Sequence, residues 1–252
     1  MSSWSKHRKY TYASIVIVVA VVLIGVPSYE HFYKAPTCFD GLKNGYEQGI
    51  DCGGSCQKLC ASAYLPPKVD WKFYEEIAPG IYNLAAYIEN PNTDAVAVDV
   101  PFHMVLYSAL NLPISDTKGT VTLPPHRNTL AFLSAVKIGG NPPNVAPFFE
   151  FTGSPDWNKK TDQLTSLVVG KTQFTSGSGN SSLQVTLTNV SVNDLPRLQV
   201  YAILYDQDKN PVGFSKTVVD GIPGNSSVTA PFTWPTDFGG KVISQEILPV
   251  AE

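Results

Sequence analysis

The chain has 252 residues, of which 43% are apolar and 15% are charged, and its formal net charge is -3. An average soluble domain carries roughly 25% charged residues, so charge is scarce here. The slightly acidic balance argues against nucleic-acid binding, which needs a basic surface. The twenty prolines and nineteen glycines argue against a helical bundle.

The amino terminus joins a basic stretch to an apolar run. Lys6, Arg8 and Lys9 precede residues 13–26, a run that carries no charge and consists almost entirely of Ile, Val, Leu and Ala. This order is typical of an export signal whose charged end stays in the cytoplasm. The bulk of the chain is therefore expected outside the cytoplasm.

The apolar run allows two interpretations. Its fourteen residues span about 21 Å as a helix, short of a hydrocarbon core of roughly 30 Å, which favours a cleaved signal peptide. Interfacial tyrosines at Tyr10 and Tyr33 extend the span to about 36 Å, and no small-residue cleavage site follows, which favours an uncleaved anchor. We predict a cytoplasmic basic tail at 1–12 and a single-pass transmembrane signal anchor in the cell membrane at 13–33, with the lipid bilayer as partner.

All four cysteines follow the apolar run within 23 residues: Cys38, Cys52, Cys56 and Cys60. In an oxidising compartment such a cluster indicates two disulfides, and three pairings are open. A zinc site is the alternative, but the spacings lack the paired C-x2-C knuckles of zinc ribbons. We predict that residues 34–64 form a small disulfide-rich knot that acts as a stalk.

Oxygen-bearing side chains stand at short intervals inside this segment, with glycines between them. Asp40, Asn44, Glu47 and Asp51 are of the type that coordinates Ca²⁺. A conventional EF-hand is excluded because Leu42 occupies the third ligand position. Two interpretations remain, a calcium loop braced by disulfides and a set of Asx and glycine turns without an ion.

The pattern DGxxNGxExGxDCGGxC within residues 38–60 resembles a short cysteine motif of bacterial surface proteins. The resemblance implies a cell-surface context and a disulfide knot. It supplies no activity.

From Leu65 onward, short runs of alternating apolar and polar residues are separated by turn clusters every 8–12 residues or so. This pattern is typical of β-sandwiches. We predict a mainly β protein, with one amino-terminal transmembrane helix and the knot followed by two tandem sandwiches at residues 65–155 and 156–252.

The two halves of this body repeat the same landmarks at an offset of 98 or 99 residues. A fixed offset over several landmarks indicates two copies of one domain. The landmarks are a strand that ends in asparagine, a Leu-Tyr pair, a proline six residues later, and a second proline beyond it: Asn90, Leu106-Tyr107, Pro113 and Pro124 against Asn189, Leu204-Tyr205, Pro211 and Pro223.

These landmarks carry a family resemblance. The first copy, with Asn90-Pro91-Asn92 at the strand end, resembles the WHy domain of late-embryogenesis-abundant proteins. The second, with Ile203-Leu204-Tyr205-Asp206, resembles the bacterial FxLYD domain. The resemblance implies two tandem immunoglobulin-like β-sandwiches that cover residues 65–250, used as extracytoplasmic modules without a shared active site.

The body offers little that points to catalysis. Two histidines, His103 and His126, follow the membrane segment, and no nucleophile elbow, zinc-protease helix or phosphate loop occurs. The adjacent acids Glu75 and Glu76 are interpreted as the edge of a strand. We therefore expect no enzyme.

An aromatic cluster lies near the predicted boundary between the sandwiches: Phe148, Phe149, Phe151 and Trp157. It is expected either to pack the two sandwiches together or to form an exposed patch for a partner.

These observations predict a membrane-anchored, extracytoplasmic structural or interaction protein of the cell surface. It would act as an assembly or adhesion subunit, with protein partners in a surface assembly and no nucleic acid. The alternative is a β-sandwich module that binds a small ligand or a glycan, or that protects against stress.

Overall fold

The computed structural model describes residues 3–33, 35–140 and 142–252, so Lys34 and the first two residues of the predicted tail lie outside the described residues. The protein is mainly β with one amino-terminal apolar helix, as predicted. It divides into an amino-terminal unit that ends at Cys56 and a larger unit, Gln57–Glu252.

The amino-terminal helix is continuous through three segments: α1 (Ser3–Ala20), one turn of π-helix (Val21–Gly25) and α2 (Val26–Phe32). The stretch His7–His31 is apolar enough to cross a membrane, and none of its most apolar window is buried within the protein. Its 25 residues correspond to about 37 Å. This exceeds the roughly 30 Å of a hydrocarbon core, so the span is longer than the apolar run alone suggests.

The larger unit consists of antiparallel strands joined by turns, with short 3-10 turns at Ala61–Ala63 and Gly239–Lys241. Its strands are β1 (Lys68–Ala78), β2 (Ile81–Glu89), β3 (Ala95–Tyr107), β4 (Pro113–Leu123), β5 (Asn128–Lys137), β6 (Phe148–Phe151), β7 (Trp157–Lys159), β8 (Leu167–Gly177), β9 (Asn180–Asn189), β10 (Leu198–Tyr205), β11 (Pro211–Val219), β12 (Ser227–Trp234) and β13 (Ser244–Ala251).

In the first sandwich, the sheet β1-β2-β5 faces the sheet β4-β3-β6, with β7 also paired to β3. Alternate residues of the central strands point inward, so Leu84 and Ile88 of β2 and Phe102 and Leu106 of β3 share one core with no exposed surface. Each such side chain stabilises the fold by about 1.5–3 kcal/mol relative to its exposed state.

The second sandwich repeats this topology, with β8–β13 corresponding in order to β1–β6. Its sheets have the orders β8-β9-β12 and β11-β10-β13, around a separate core. In both copies a β-bulge follows the core leucine, so that the next tyrosine pairs with the proline of the following strand, Tyr107 with Pro113 and Tyr205 with Pro211. The sequence offset therefore reflects a structural repeat.

The first sandwich extends beyond the boundaries predicted at residues 65 and 155. Its last strand, β7, pairs with the start of β3, because Trp157 belongs to the first core. The preceding chain joins it as well, since Leu59 N donates to Trp157 O at 2.8 Å and Lys58 bridges to Asn158. Residues 57–64 thus pack on the sandwich rather than forming part of a separate stalk.

The two sandwiches pack face to face. The outer face of β1-β2-β5 meets the outer face of β11-β10-β13 in a third apolar cluster, to which Tyr87 and Leu130 contribute from one side and Tyr201, Ile203 and Phe214 from the other. Strands β2 and β10 are consequently buried on both of their faces.

Candidate functional site

A cleft of about 410 Å³ opens along the contact between the sandwiches. Both sandwiches contribute to its wall, so the cleft exists only when the two are packed together. Its lining residues are Asp70, Trp71 and Tyr87 from the first sandwich, and Tyr205, Lys209, Ser244, Gln245 and Glu246 from the second.

The aromatic wall of the cleft is set by strand pairing. A register shift in β1 falls between Val69 and Trp71, and beyond it Trp71 lies opposite Tyr87 on β2. Such a bulge changes the direction of the side chains that follow it. The two rings stack with centroids 5.3 Å apart and an angle of 29° between their planes. Tyr87 is only 8% exposed, so Trp71 is the accessible ring of the pair.

The polar centre of the cleft is the carboxylate of Glu246 on β13. The Tyr87 hydroxyl donates to its Oε1 atom at 2.7 Å, and the Tyr205 hydroxyl donates to its Oε2 atom at 2.8 Å. Asn128 Nδ2 in turn donates to the Tyr87 oxygen at 2.7 Å. One carboxylate is therefore held in a fixed orientation by phenols from both sandwiches.

The two phenols stay protonated in this setting. Burial, reinforced by the hydrogen bond to Glu246 and by its negative charge, raises the pKa of Tyr87 and of Tyr205 well above the ordinary value. Both hydroxyls therefore act as donors throughout the physiological pH range. The arrangement offers an aromatic surface, a fixed acceptor and a nearby cation, which are groups that bind a ligand.

A second carboxyl, Glu75 on β1, lies inside the contact between the sandwiches. Glu75 is 7% exposed, and its Oε2 atom accepts a hydrogen bond from Phe214 N at 3.3 Å. Burial raises the pKa of this carboxyl to about 7, against a smaller opposing effect of the hydrogen bond. Glu75 lies on β1, the edge strand of its sheet, as predicted, but the second sandwich covers its side chain.

In the amino-terminal unit, Cys38 and Cys56 form a disulfide with their Cα atoms 5.7 Å apart. Cys52 and Cys60 are disulfide-bonded as well, which confirms the prediction of disulfides. Glu47 lies beside the Cys38 and Cys56 sulfurs. Sulfurs in a disulfide are not the thiolates that zinc requires, so the zinc alternative does not fit these cysteines.

Asp40 and Asp51, two of the four predicted calcium ligands, both accept hydrogen bonds from backbone amides of their own loop. The Asp51 carboxylate accepts hydrogen bonds from the backbone amides of Asp40 and Gly41 at 2.9–3.1 Å. The Asp40 carboxylate accepts from the Leu42 amide and from Asn44 Nδ2, both at 2.9 Å. The Asp40–Leu42 bond is that of an Asx turn, whereas Asp51 reaches back across ten and eleven residues and ties the two ends of the loop together.

The remaining two calcium candidates complete this network. Glu47 Oε2 accepts from Asn44 N at 3.2 Å, while Asn44 Oδ1 is buried and meets no donor among the described residues. Calcium takes six to eight oxygen ligands, and Asn44 Oδ1 is the one buried oxygen of this set without a hydrogen-bond partner among the described residues. These hydrogen bonds are ones that a loop without an ion makes, and the calcium loop stays a prediction.

The aromatic cluster belongs mainly to the first core. Trp157 and Phe149 are buried, Phe151 packs partly buried against them, and only Phe148 is exposed, at 43%. The expectation of a four-residue partner patch is therefore wrong for Phe149 and Trp157. The cluster does not join the two sandwiches either, because β6 and β7 both pair with β3.

His103 lies on the outer face of the first sandwich between two acids from neighbouring strands. Its Nδ1 atom is 3.1 Å from Asp116 of β4, and its Nε2 atom is 3.5 Å from Glu150 of β6. These are cross-strand pairs on a sheet surface, which fits the structural role expected for this histidine.

Sequence analysis missed the cleft, although a signal for it exists. Residues 82–88 and 200–204 are buried without interruption, and within them the apolar runs 84–88 and 200–204 are continuous rather than alternating. Continuous runs are typical of strands covered on both faces. They identify the two surfaces that pack together, and the cleft lies along this contact.

No protein-family model and no curated protein matches the chain. Among solved structures, it is similar to a β-glucuronidase from glycoside hydrolase family 2, with 9% identity and a TM-score of 0.25 over 68% of this chain and 24% of that one. It is also similar to a protein assigned as a β-galactosidase from Bacteroides fragilis, with 12% identity and a TM-score of 0.20 over 71% and 33% of the two chains. The chain thus spans a quarter to a third of these proteins, and the similarity identifies no family.

Proposed function

We propose that the protein is a non-catalytic interaction protein, anchored in the cell membrane by its amino-terminal helix and acting outside the cytoplasm as an assembly or adhesion subunit. The observation that supports this most directly is the helix His7–His31, whose apolar side chains have no partner surface in the described residues. Exposing so many apolar side chains to water is unfavourable, whereas a bilayer accommodates them.

Two independent features support the same orientation of the helix in the membrane, with its amino-terminal end in the cytoplasm. Arg8 and Lys9 stand at the amino-terminal end of the span, and cationic flanks are retained in the cytoplasm. The disulfide-bonded cysteines stand beyond the other end, and disulfides persist in oxidising compartments outside the cytoplasm. The body then lies on the outer side.

The packing of the two sandwiches supports an interaction role. Because they share the cluster around Tyr87, Tyr201 and Phe214, they form one body with fixed faces and edges. Sheet edges such as β8, which among the described strands pairs with β9 alone, can accept a strand from a partner. The cleft favours the second candidate function, a ligand-binding module.

Topology is tested by treating intact cells that express the full chain with protease. The body should be degraded, while an amino-terminal fragment containing the helix stays in the membrane fraction. In a matched variant with Lys6, Arg8 and Lys9 replaced by Glu, a fraction of the chains should become protected. A protected wild-type body, or a mature protein whose measured mass lacks the helix, contradicts the proposed anchor.

The assembly role is tested by chemical cross-linking in intact membranes, followed by purification of the full chain. A partner in constant molar ratio is expected. Recovery of the monomer alone contradicts an assembly subunit and favours the ligand-binding candidate.

A further inference from the structure

We infer that the cleft between the sandwiches binds a pyranose residue of a glycan, with Trp71 as the stacking surface and Glu246 as the hydrogen-bond acceptor. The inference rests on the proposed function, because a body outside the cytoplasm meets surface glycans. The inference names the class of ligand that this cleft binds, and it makes no claim about the protein partners of the proposed assembly.

The first requirement of a pyranose is a flat apolar surface for its C–H face. Trp71 provides it, because one side of its ring stacks on Tyr87 and the ring also lines the cleft. The buried Tyr87 lies against the indole, with the ring centroids 5.3 Å apart. Burying the C–H face of a sugar on such a ring removes apolar area from water.

The second requirement is a polar group held in place for the ring of hydroxyls. Glu246 is oriented by the Tyr87 and Tyr205 hydroxyls, one on each of its oxygens. Each carboxylate oxygen has a second lone pair, so it can still accept from a ligand hydroxyl. A preoriented acceptor costs little entropy on binding, and two oxygens match two neighbouring hydroxyls.

The charges and shape favour a neutral sugar over a quaternary ammonium ligand. Lys209 lies in the cleft with Asp70 and Glu246, and the Glu246 charge is already solvated by two phenols. Trp71 and Tyr87 stack with 29° between their planes, so these two rings form a platform instead of two walls of the cage that a methylated cation requires. The third aromatic residue of the lining, Tyr205, directs its hydroxyl to Glu246. The volume of about 410 Å³ lies within the roughly 300–1,000 Å³ typical of small-molecule sites.

The experiment uses the full-length chain in a detergent without a sugar headgroup. It is applied to an array of immobilised α- and β-linked oligosaccharides of glucose, galactose, mannose and N-acetylglucosamine. Bound sugars are then titrated in solution by isothermal calorimetry, which does not depend on the tryptophan that one variant removes. We expect at least one pyranose class to bind, and we expect Trp71→Ala and Glu246→Gln each to weaken binding about tenfold or more.

Tyr46→Ala is the matched control, because it removes an aromatic ring that is 87% exposed in the amino-terminal unit. It should leave sugar affinity unchanged, and Trp71→Phe should retain part of it. Thermal unfolding separates lost binding from lost folding, and Glu246→Gln is nearly isosteric. Failure of every sugar to bind, equal affinity in Trp71→Ala, or binding of choline in place of sugars overturns the inference. The protease experiment on intact cells tests the membrane anchor separately, and its result does not depend on whether sugars bind.

Discussion

Asn90 and Asn189 occupy the same place in the two sandwiches and make the same hydrogen bonds, although they are 99 residues apart. In each, Oδ1 accepts from the backbone N–H two residues later at 3.0 Å. In each, Nδ2 donates to the carbonyl of the proline that immediately precedes a later turn, Pro124 at 2.7 Å and Pro223 at 3.3 Å. One buried side chain thus closes its own turn and ties it to a distant one.

The first prediction concerns this asparagine. Asn189→Ala removes the donor for the carbonyls of Asn193, Ile222 and Pro223 and leaves them without that partner in a buried site. We expect a loss of about 2–4 kcal/mol in the free energy of unfolding, since each unsatisfied buried group costs about 1–3 kcal/mol. Denaturant unfolding measures it. Asn180→Ala, at an exposed turn, should stay within about 0.5 kcal/mol of wild type, and equal effects of both variants contradict the assigned role.

The second prediction concerns the contact between the sandwiches. Ala85 and Tyr87 of β2 correspond to Gln184 and Thr186 of β9, which face solvent in the second copy. The double change Ala85→Gln and Tyr87→Thr places polar side chains in the buried contact. We expect it to cost about 2–5 kcal/mol through unpaired polar groups and lost packing.

Limited proteolysis of the segment between β7 and β8 is the readout, because separation of the sandwiches breaks the bonds from Arg127 to Asp162 and to Leu164 O that hold this segment in place. Cleavage should accelerate in the double variant. The reverse change at the solvent-facing position, Gln184→Ala, is the matched control and should leave the rate unaltered. An unaltered rate in the double variant argues against the face-to-face contact.

The third prediction follows from the raised pKa of Glu75. The folded chain keeps this carboxyl protonated up to about pH 7, whereas the unfolded chain releases the proton near pH 4.5. The folded state therefore binds more protons in this window, and its contribution to stability is lost as pH rises through it, by about 3 kcal/mol in total.

Denaturant unfolding between pH 4.5 and 8 measures this loss. In Glu75→Gln, a neutral side chain stays in the contact at every pH, so the part of the pH dependence due to Glu75 should vanish. Glu76→Gln changes the exposed neighbour and should keep the wild-type profile. Parallel profiles for wild type and Glu75→Gln contradict the prediction.

The fourth prediction concerns the cysteine segment. The Cys38–Cys56 disulfide closes a loop with a sequence separation of 18 residues, which in the chain-entropy model is worth about 3 kcal/mol. A thiol reductant should therefore make residues 39–51 much more sensitive to protease. Asp51→Ala should do the same in oxidised protein, because it removes the acceptor for the Asp40 and Gly41 amides.

Calcium provides the contrasting measurement in the same assay. Because the carboxylates are engaged by amides, we expect millimolar CaCl₂ and EDTA to give equal protease sensitivity. If calcium protects the wild-type segment from protease and does not protect Asp51→Ala, the segment binds calcium and the expectation of equal sensitivity is wrong.

Sequence reasoning succeeds where local pattern and repetition determine structure. The offset between Leu106-Tyr107 and Leu204-Tyr205 corresponds to equivalent central strands with equivalent bulges. The position of Glu75 could not be read in this way, since its neighbours along the chain do not reveal that Phe214, 139 residues away, covers it. Disulfide pairing was open for a similar reason, because spacing alone leaves three pairings equivalent.

The contact between the sandwiches joins two different sheets, and this bears on whether chains assemble end to end. A contact between two different faces of a repeated domain is head-to-tail, and repetition of such a contact from chain to chain would build an open fibre. In this chain the two outward-facing sheets present polar or charged side chains at the positions where the internal contact is apolar. One presents Gln184 and Thr186, and the other presents His103 with its two acids, where the internal contact has Ala85, Tyr87 and Tyr201. The duplication is therefore self-limiting, and it yields a finite pair of sandwiches on each chain.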